Sequence, residues 1–299
     1  MREPIAMESL AAVAAGGWRG RRSPWDEIDY SVPLPEGFVM PEHHWPALAE
    51  ATFLTPPQRI RANRAALSFS CEMFIQSETY VITYLEERRR RIGGLVPDTA
   101  LDRFVAEERE HIEAFYRLLD ALNGGRYGDR KLKLMRWTFW DRLMLWLAPP
   151  VSLFTIAALF EEMSLPVAAV MDERPDQSYA PVRAVMDLHA REEKLHIHLD
   201  DRALERSQGR LPRWLYALQL WLALPFMAYV DGVLARAWRR AMKDFAAKER
   251  LPAGEARRLL RRRPSRSDML GIQSFIAKLG SRPLPGSRLF ATVLAIATR

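Results

Sequence analysis

The stretch Leu188–Asp200, LHAREEKLHIHLD, constrains the fold of this chain more than any other. His189, Glu193 and His196 are spaced four and three apart, so on a helix they project from one face in successive turns. Val182, Val185 and Met186 continue that face toward the N-terminus. An imidazole–carboxylate–imidazole row is thus in line with an apolar stripe. Burying such groups without partners costs roughly several kcal/mol. The rest of the chain must compensate, and a metal ion is the simplest way to do so.

The periodicity elsewhere is helical. From Pro57, the residues Ile60, Leu67, Cys71, Phe74, Ile75, Val81, Ile82 and Leu85 form one broad stripe, predicting a helix to about residue 91. Gly93–Gly94 and Pro97–Asp98 break it. A second helix carries Leu101, Phe104, Val105, Ile112 and Phe115 and ends near Asn123–Gly124–Gly125. A basic linker with Trp137 and Trp140 leads to a third helix over about 151–171, where Pro166 predicts a kink. The turn 172–181 precedes a fourth helix over about 182–204. No strand alternation of useful length occurs. The expectation is an all-α chain whose centre is two helical hairpins.

Each hairpin contains an E-x-x-H pair: Glu108 with His111 on the second helix, and Glu193 with His196 on the fourth. Two such pairs are what a carboxylate-bridged two-metal site in a four-helix bundle needs, with one further glutamate from each partner helix. On the first helix, Glu78 has Phe74, Ile75, Val81 and Ile82 at its three- and four-residue neighbours, so it faces the core. Glu72 has Ser68 and Gln76 beside it, a wetter face. It also starts six residues further from the hairpin turn near residue 95, roughly 9 Å more out of level at about 1.5 Å per residue. Glu78 is preferred. On the third helix, Glu161 and Glu162 are adjacent among apolar residues, and neither level nor helical face separates them. His198 reads as a packed or surface histidine, whereas His43 and His44, adjacent and so unable to share one helical face, read as surface histidines.

Four carboxylates and three imidazoles without a thiolate suit iron, or manganese, better than a structural zinc. The order Glu78, Glu108-x-x-His111, Glu161/Glu162, His189-x-x-x-Glu193-x-x-His196 resembles the AurF-like diiron oxygenases, the p-aminobenzoate N-oxygenase family. The third histidine, one turn before the last E-x-x-H, is the distinctive part. The resemblance covers roughly residues 58–205. It implies a ferritin-like four-helix bundle with additional C-terminal helices, and two iron ions ligated by Glu78, Glu108, His111, Glu162, His189, Glu193 and His196. Glu162 is chosen over Glu161 by the family's spacing, and the short Glu78–Glu108 interval leaves Glu72 as a fallback. The implied activity is use of O2 to oxidise a small organic substrate, as in N-oxygenation of an arylamine. Two rivals stand beside it: a diiron hydroxylase or desaturase of an aliphatic, lipid or carrier-bound chain, and an iron-handling or purely structural bundle.

The flanks carry less information. Residues 1–57 read as a flexible leader and extended arm, pinned by Trp18, Trp25, Tyr30 and Trp45. Residues 206–299 read as a basic, Trp-rich helical extension packed on the bundle. The net charge of +7 is concentrated in runs, Arg88–Arg91 and Arg257–Arg263. Such runs are solvated surface or a docking patch for an acidic carrier protein or an anionic membrane. No nucleic-acid motif accompanies them. The other expected partners are a small-molecule substrate, a separate reductase as external electron donor, and a second copy in a homodimer. The single cysteine, Cys71, excludes an intramolecular disulfide framework and fits a reducing, cytoplasmic setting. The charge-free runs Leu143–Phe160 and Trp214–Val230 are at the lower edge of bilayer-spanning length and are expected to be buried helices, with membrane association as the rival reading.

Overall fold

The first long helix starts at a capping box, in which Thr55 and Gln58 satisfy one another's orphan donors, with Pro56 at the first helical position. In the computed structural model, which describes residues 23–261, 266–281 and 286–297, this helix α1 spans Pro56–Glu87. It is followed by α2 (Asp98–Asn123), α3 (Phe139–Leu147), α4 (Pro150–Glu173) and α5 (Ala180–Arg210). After these come α6 (Arg213–Trp221), α7 (Ala223–Lys248), α8 (Ala253–Leu259), α9 (Arg266–Ser281) and α10 (Ser287–Ala297). There is no strand among the described residues, which are all-helical as expected. Gly124 closes α2 in the left-handed region, at φ 64°, where a side chain would be strained.

Four helices surround one interior. α1 packs on α2, α2 on α5, α5 on α4, and α4 on α1. Phe104, Phe115, Leu118, Ile75, Val182 and Phe154 are all but fully buried between them. From the C-terminal part, α7 lies along α1 and α9 along α4.

The crossing of α9 over α4 depends on Gly271. A Cβ there would lie 2.3 Å from Met163 Cα and 2.5 Å from the Glu162 carbonyl oxygen. That carbonyl has no i+4 donor because residue 166 is proline, and only a Cα–H can approach so closely. Gly271→Ala is therefore expected to push α9 off α4 and to cost about 3 kcal/mol, the upper end of overpacking penalties. A denaturant midpoint unchanged from the parent protein would show that the crossing relaxes freely.

The described part of the N-terminal arm is pinned mostly through its backbone. Asn63 accepts from the N–H groups of Val39 and Met40 and donates to the Met40 carbonyl at 2.9 Å. Trp45 is buried and stacks on Trp238 at 5.4 Å between ring centroids. Trp18 lies outside the described residues. His43 is half-buried and pairs with Glu173, whereas His44 is buried against Trp45, contrary to the surface reading.

Two further expectations change. Glu72 does not face a wet surface: it is fully buried, and its carboxylate accepts from the Tyr127 hydroxyl at 2.6 Å and from the backbone N–H groups of Lys133, Leu134 and Met135. The basic linker after α2 folds back onto α1 and uses this carboxylate as its anchor, so Glu72 is not a fallback ligand. The run Trp214–Val230 is not a buried helix either. Two helical stretches are long and apolar enough to cross a membrane by length and composition, Pro150–Glu173 and Arg213–Lys248. The most apolar window of the first is 67% buried inside the protein, that of the second only 28%. Of the C-terminal arginine run, Arg257, Arg258 and Arg261 are exposed, and Arg262 and Arg263 lie outside the described residues.

Candidate metal centre

Glu78 from α1, Glu108 and His111 from α2, and His189, Glu193 and His196 from α5 meet in the interior between the four long helices. Each is no more than 6% exposed. Their donor atoms form two overlapping groups, Glu78–His111–His189–Glu193 and Glu108–His111–Glu193–His196, with all atoms of a group within 4.8 Å of one another. His111 and Glu193 belong to both. The i, i+3 and i, i+4 spacing in the sequence produces this, because α2 and α5 present those turns to each other at the same level.

The distances are those of facing donors. His189 Nε2 lies 2.8 Å from Glu193 Oε1 and 3.0 Å from Glu78 Oε1. His196 Nδ1 lies 3.0 Å from Glu108 Oε1 and 3.2 Å from Glu193 Oε2. His111 Nδ1 is 3.5 Å from both Glu108 and Glu193 and makes no hydrogen bond of its own. Glu78 Oε2 and Glu108 Oε2 also lack partners. Buried orphan acceptors beside an orphan ring nitrogen are costly unless an ion or a proton is shared among them. The oxygen and nitrogen donors fit iron or manganese.

The outer nitrogens of two rings are held by carboxylates outside the E-x-x-H pairs. His111 Nε2–H donates to Glu192 at 2.8 Å, and His196 Nε2–H donates to Glu107 at 3.1 Å. Each brace is the residue just before the ligand glutamate of the opposite hairpin. The signal was in the sequence as a doubled E-E-x-x-H, Glu107-Glu108-x-x-His111 and Glu192-Glu193-x-x-His196. Each brace is itself supported: Arg103 binds Glu107 at 2.6 Å, and the buried Trp25 of the N-terminal arm donates its indole N–H to Glu192 at 3.2 Å. Outer-nitrogen carboxylates fix ring orientation and raise ligand basicity. Glu192→Gln or Glu107→Gln should therefore weaken metal affinity by about 10- to 100-fold with the helix content kept. Metal titration of each variant measures this, and an unchanged affinity would reduce the braces to packing.

Charge is divided unevenly. Burial opposes ionisation of Glu193, yet His189 and His196 hold its carboxyl well below the usual carboxylate range. Burial likewise opposes a charged His111, but Glu108 and Glu192 outweigh it and raise the ring to about 9. His196 is raised as well, with Glu108 and Glu193 overcoming its desolvation. Glu78 is pushed well above the carboxylate range by burial, which its hydrogen bond from His189 only partly offsets.

The third-helix ligand is where sequence and structure part. Glu162, preferred by resemblance, points to α9, where Lys278 binds it at 2.8 Å and Ser274 donates to it at 3.0 Å. Glu161 instead lines a cavity of about 20 Å³ together with Glu78, Glu108, His189 and Glu193. Both Glu161 oxygens are buried and without hydrogen-bond partners. The geometry thus brings Glu161, not Glu162, to the site, because a counter-ion from α9 occupies the neighbour. Asp200, one turn beyond His196, is a further fully buried carboxyl with both oxygens unpartnered. Burial raises both Glu161 and Asp200 well above the carboxylate range, with Asp200 adding to the shift of Glu161 and Asp201 to that of Asp200. The other cavity walls are Phe74, Val81, Ala157 and Phe160, with Ser77 and Ser164 between them. Such a space admits about one water-sized molecule.

No family model, no curated protein and no solved structure matches this chain.

Proposed function

We propose that this chain is a ferritin-like, non-haem two-metal oxygenase that uses O2 to oxidise a small organic substrate. The observation that carries this reading is the pair of overlapping four-donor groups with a small, largely apolar cavity against them. A purely structural ion-pair network would need neither the unpartnered donor atoms nor the cavity. The ligand order's resemblance to the AurF-like oxygenases supports iron as the metal.

Bound there, a pair of redox-active ions supplies the electrons that dioxygen reduction needs. Glu78 and His189 would hold one ion, Glu108 and His196 the other, and His111 and Glu193 lie within reach of both. Glu107 and Glu192 keep the two outer ring nitrogens protonated and the inner ones aimed at the centre. Glu161 faces the cavity, and burial favours its neutral form, so its carboxyl can hold or donate a proton beside the reacting molecule. Phe74, Val81 and Phe160 give that space apolar walls. Electrons would come from a separate reductase.

Arylamine N-oxygenation rests on the resemblance. An aliphatic substrate is favoured by a different observation. Across Phe160 and Ser77 from the site cavity lies a second void of about 10 Å³, walled by Met73, Tyr80, Val230, Val233 and Leu234, so the apolar lining continues toward α7. The test is to load the protein with ferrous iron without oxygen, then admit O2 with p-aminobenzoate or with a medium-chain alkane. Oxygen-dependent product from either supports an oxygenase and separates the two substrate classes. Iron oxidation without any organic product would make the protein an iron-handling bundle.

A further inference from the structure

Large apolar side chains are exposed on one side of the molecule and come from three helices. On α3, Phe139, Trp140, Trp146 and Leu147 are each more than half exposed. On α6, Trp214 and Leu218 are exposed, and Leu222 continues the row at its end, spaced four apart and so on one face. Leu289 at the start of α10 is 61% exposed.

These residues are neighbours in the fold. The start of α3 is tied to α7, where the Tyr229 hydroxyl donates to Asp141 at 3.0 Å. The chain just past α3 is tied to α6 by Ser152, which donates to the Gln219 carbonyl. α3 therefore runs beside the 219–229 stretch. Gly286 sits against Ala217 and Trp221, which brings α10 to the same side. Isolated exposed hydrophobics need no explanation, but a contiguous set with several tryptophans does.

Arginines border this face. The Arg88 guanidinium lies 5.7 Å from the Trp146 ring centre. Arg90 and Arg91 follow it on the surface, and Arg210 reaches back to the Gly93 carbonyl at 3.3 Å, so the ends of α1 and α5 add charge at one margin. Arg213 and Arg142 are exposed on α6 and α3 themselves. This run of arginines is separate from the C-terminal cluster at Arg257.

We propose that the face formed by Phe139–Leu147 and Arg213–Leu222 docks on an anionic lipid bilayer, with the helices lying in the headgroup plane. Tryptophan and leucine on one face with arginine around them is the composition of interfacial helices, and anionic headgroups attract such a basic margin. Crossing the bilayer is disfavoured because Tyr216, Leu220, Phe226 and Val230 commit the opposite face to the protein core. A second copy is a poorer occupant. A two-fold contact is self-complementary and would gather the exposed Arg142 and Arg213 of both copies into one interface.

The test uses the full chain and two kinds of vesicle, phosphatidylcholine alone and phosphatidylcholine mixed with phosphatidylglycerol. The protein should co-sediment with the mixed vesicles, release at high salt, and show a blue-shifted tryptophan emission when bound. The variant W140S/W146S/W214S changes only exposed side chains. It should keep its helix content and metal binding but lose about tenfold or more in partitioning, since one large apolar side chain withdrawn from water is worth a decade. The idea is overturned by absence of co-sedimentation with either vesicle, or by binding that the triple variant retains in full. It is equally overturned by a dimer in solution that the triple variant dissociates, because the face would then be covered by its own copy.

Discussion

Glu193→Ala is expected to cost about 3–5 kcal/mol of stability, the range for breaking a buried ion pair by removing one partner, and to abolish tight metal binding. Glu193 is the one carboxylate in both donor groups, and it faces all three imidazoles, at 2.8 Å from His189, 3.2 Å from His196 and 3.5 Å from His111. Without it, three buried rings whose protonation is favoured by carboxylates keep their desolvation cost with less to offset it. Glu78→Ala should cost less, because burial already favours the neutral form of Glu78 and its loss strands less charge. Glu193→Gln separates shape from charge: it should fold more stably than the alanine variant yet bind metal no better. Denaturant unfolding gives the stability order, and calorimetric titration with Mn(II) gives the affinity. A cost under about 1 kcal/mol with affinity intact would mean that Glu193 is not the hub of the site.

The six converging donors were legible because helical spacing is local. His189, Glu193 and His196 fix their own relative directions, and matching Glu108 with His111 needed only two hairpins of similar length. What failed was whatever depended on segments distant in sequence. Glu161 and Glu162 differ by one helical step, and the residue that distinguishes them, Lys278, lies on α9, beyond the part of the chain that carries the motif. Glu72 looked wet from its neighbours Ser68 and Gln76, since the pattern of one helix cannot show that the linker with Tyr127 and Leu134 returns to cover it. The run Trp214–Val230 is apolar on both faces, so composition could not say which one the core would take. Glu107 and Glu192 are readable as a repeat, but only the facing helix shows that each braces a ring of the opposite hairpin. Trp25 was read as an anchor for the arm, and its place 5.1 Å from the His111 ring ties that arm to the site itself.

Metal-free and metal-loaded protein should respond oppositely to pH, and this is the sharpest expectation for the centre. His111 has its folded value raised from 6.5 to about 9. Its contribution is therefore fully present below about 6.5 and is lost as pH rises through about 9, a change on the order of 3 kcal/mol. His189 and His196 are raised too and act in the same direction. Glu78, Glu161 and Asp200, raised by burial, favour the fold while protonated and lose that advantage as pH climbs past the ordinary carboxylate range. Glu193 works the other way, since its lowered value contributes above the carboxylate range and is lost only in acid. The apoprotein should thus lose thermal stability between pH 6.5 and pH 9. Metal binding requires neutral imidazoles and ionised carboxylates, so it releases protons and strengthens over the same interval. At a thousandfold excess over its dissociation constant, a ligand adds about 4 kcal/mol, or roughly 10 °C in Tm for a domain of this size. Melting curves with Mn(II) and with a chelator, taken across that pH range, should diverge as pH rises. Curves that stay parallel, or converge, would mean that the ions bind somewhere other than these histidines.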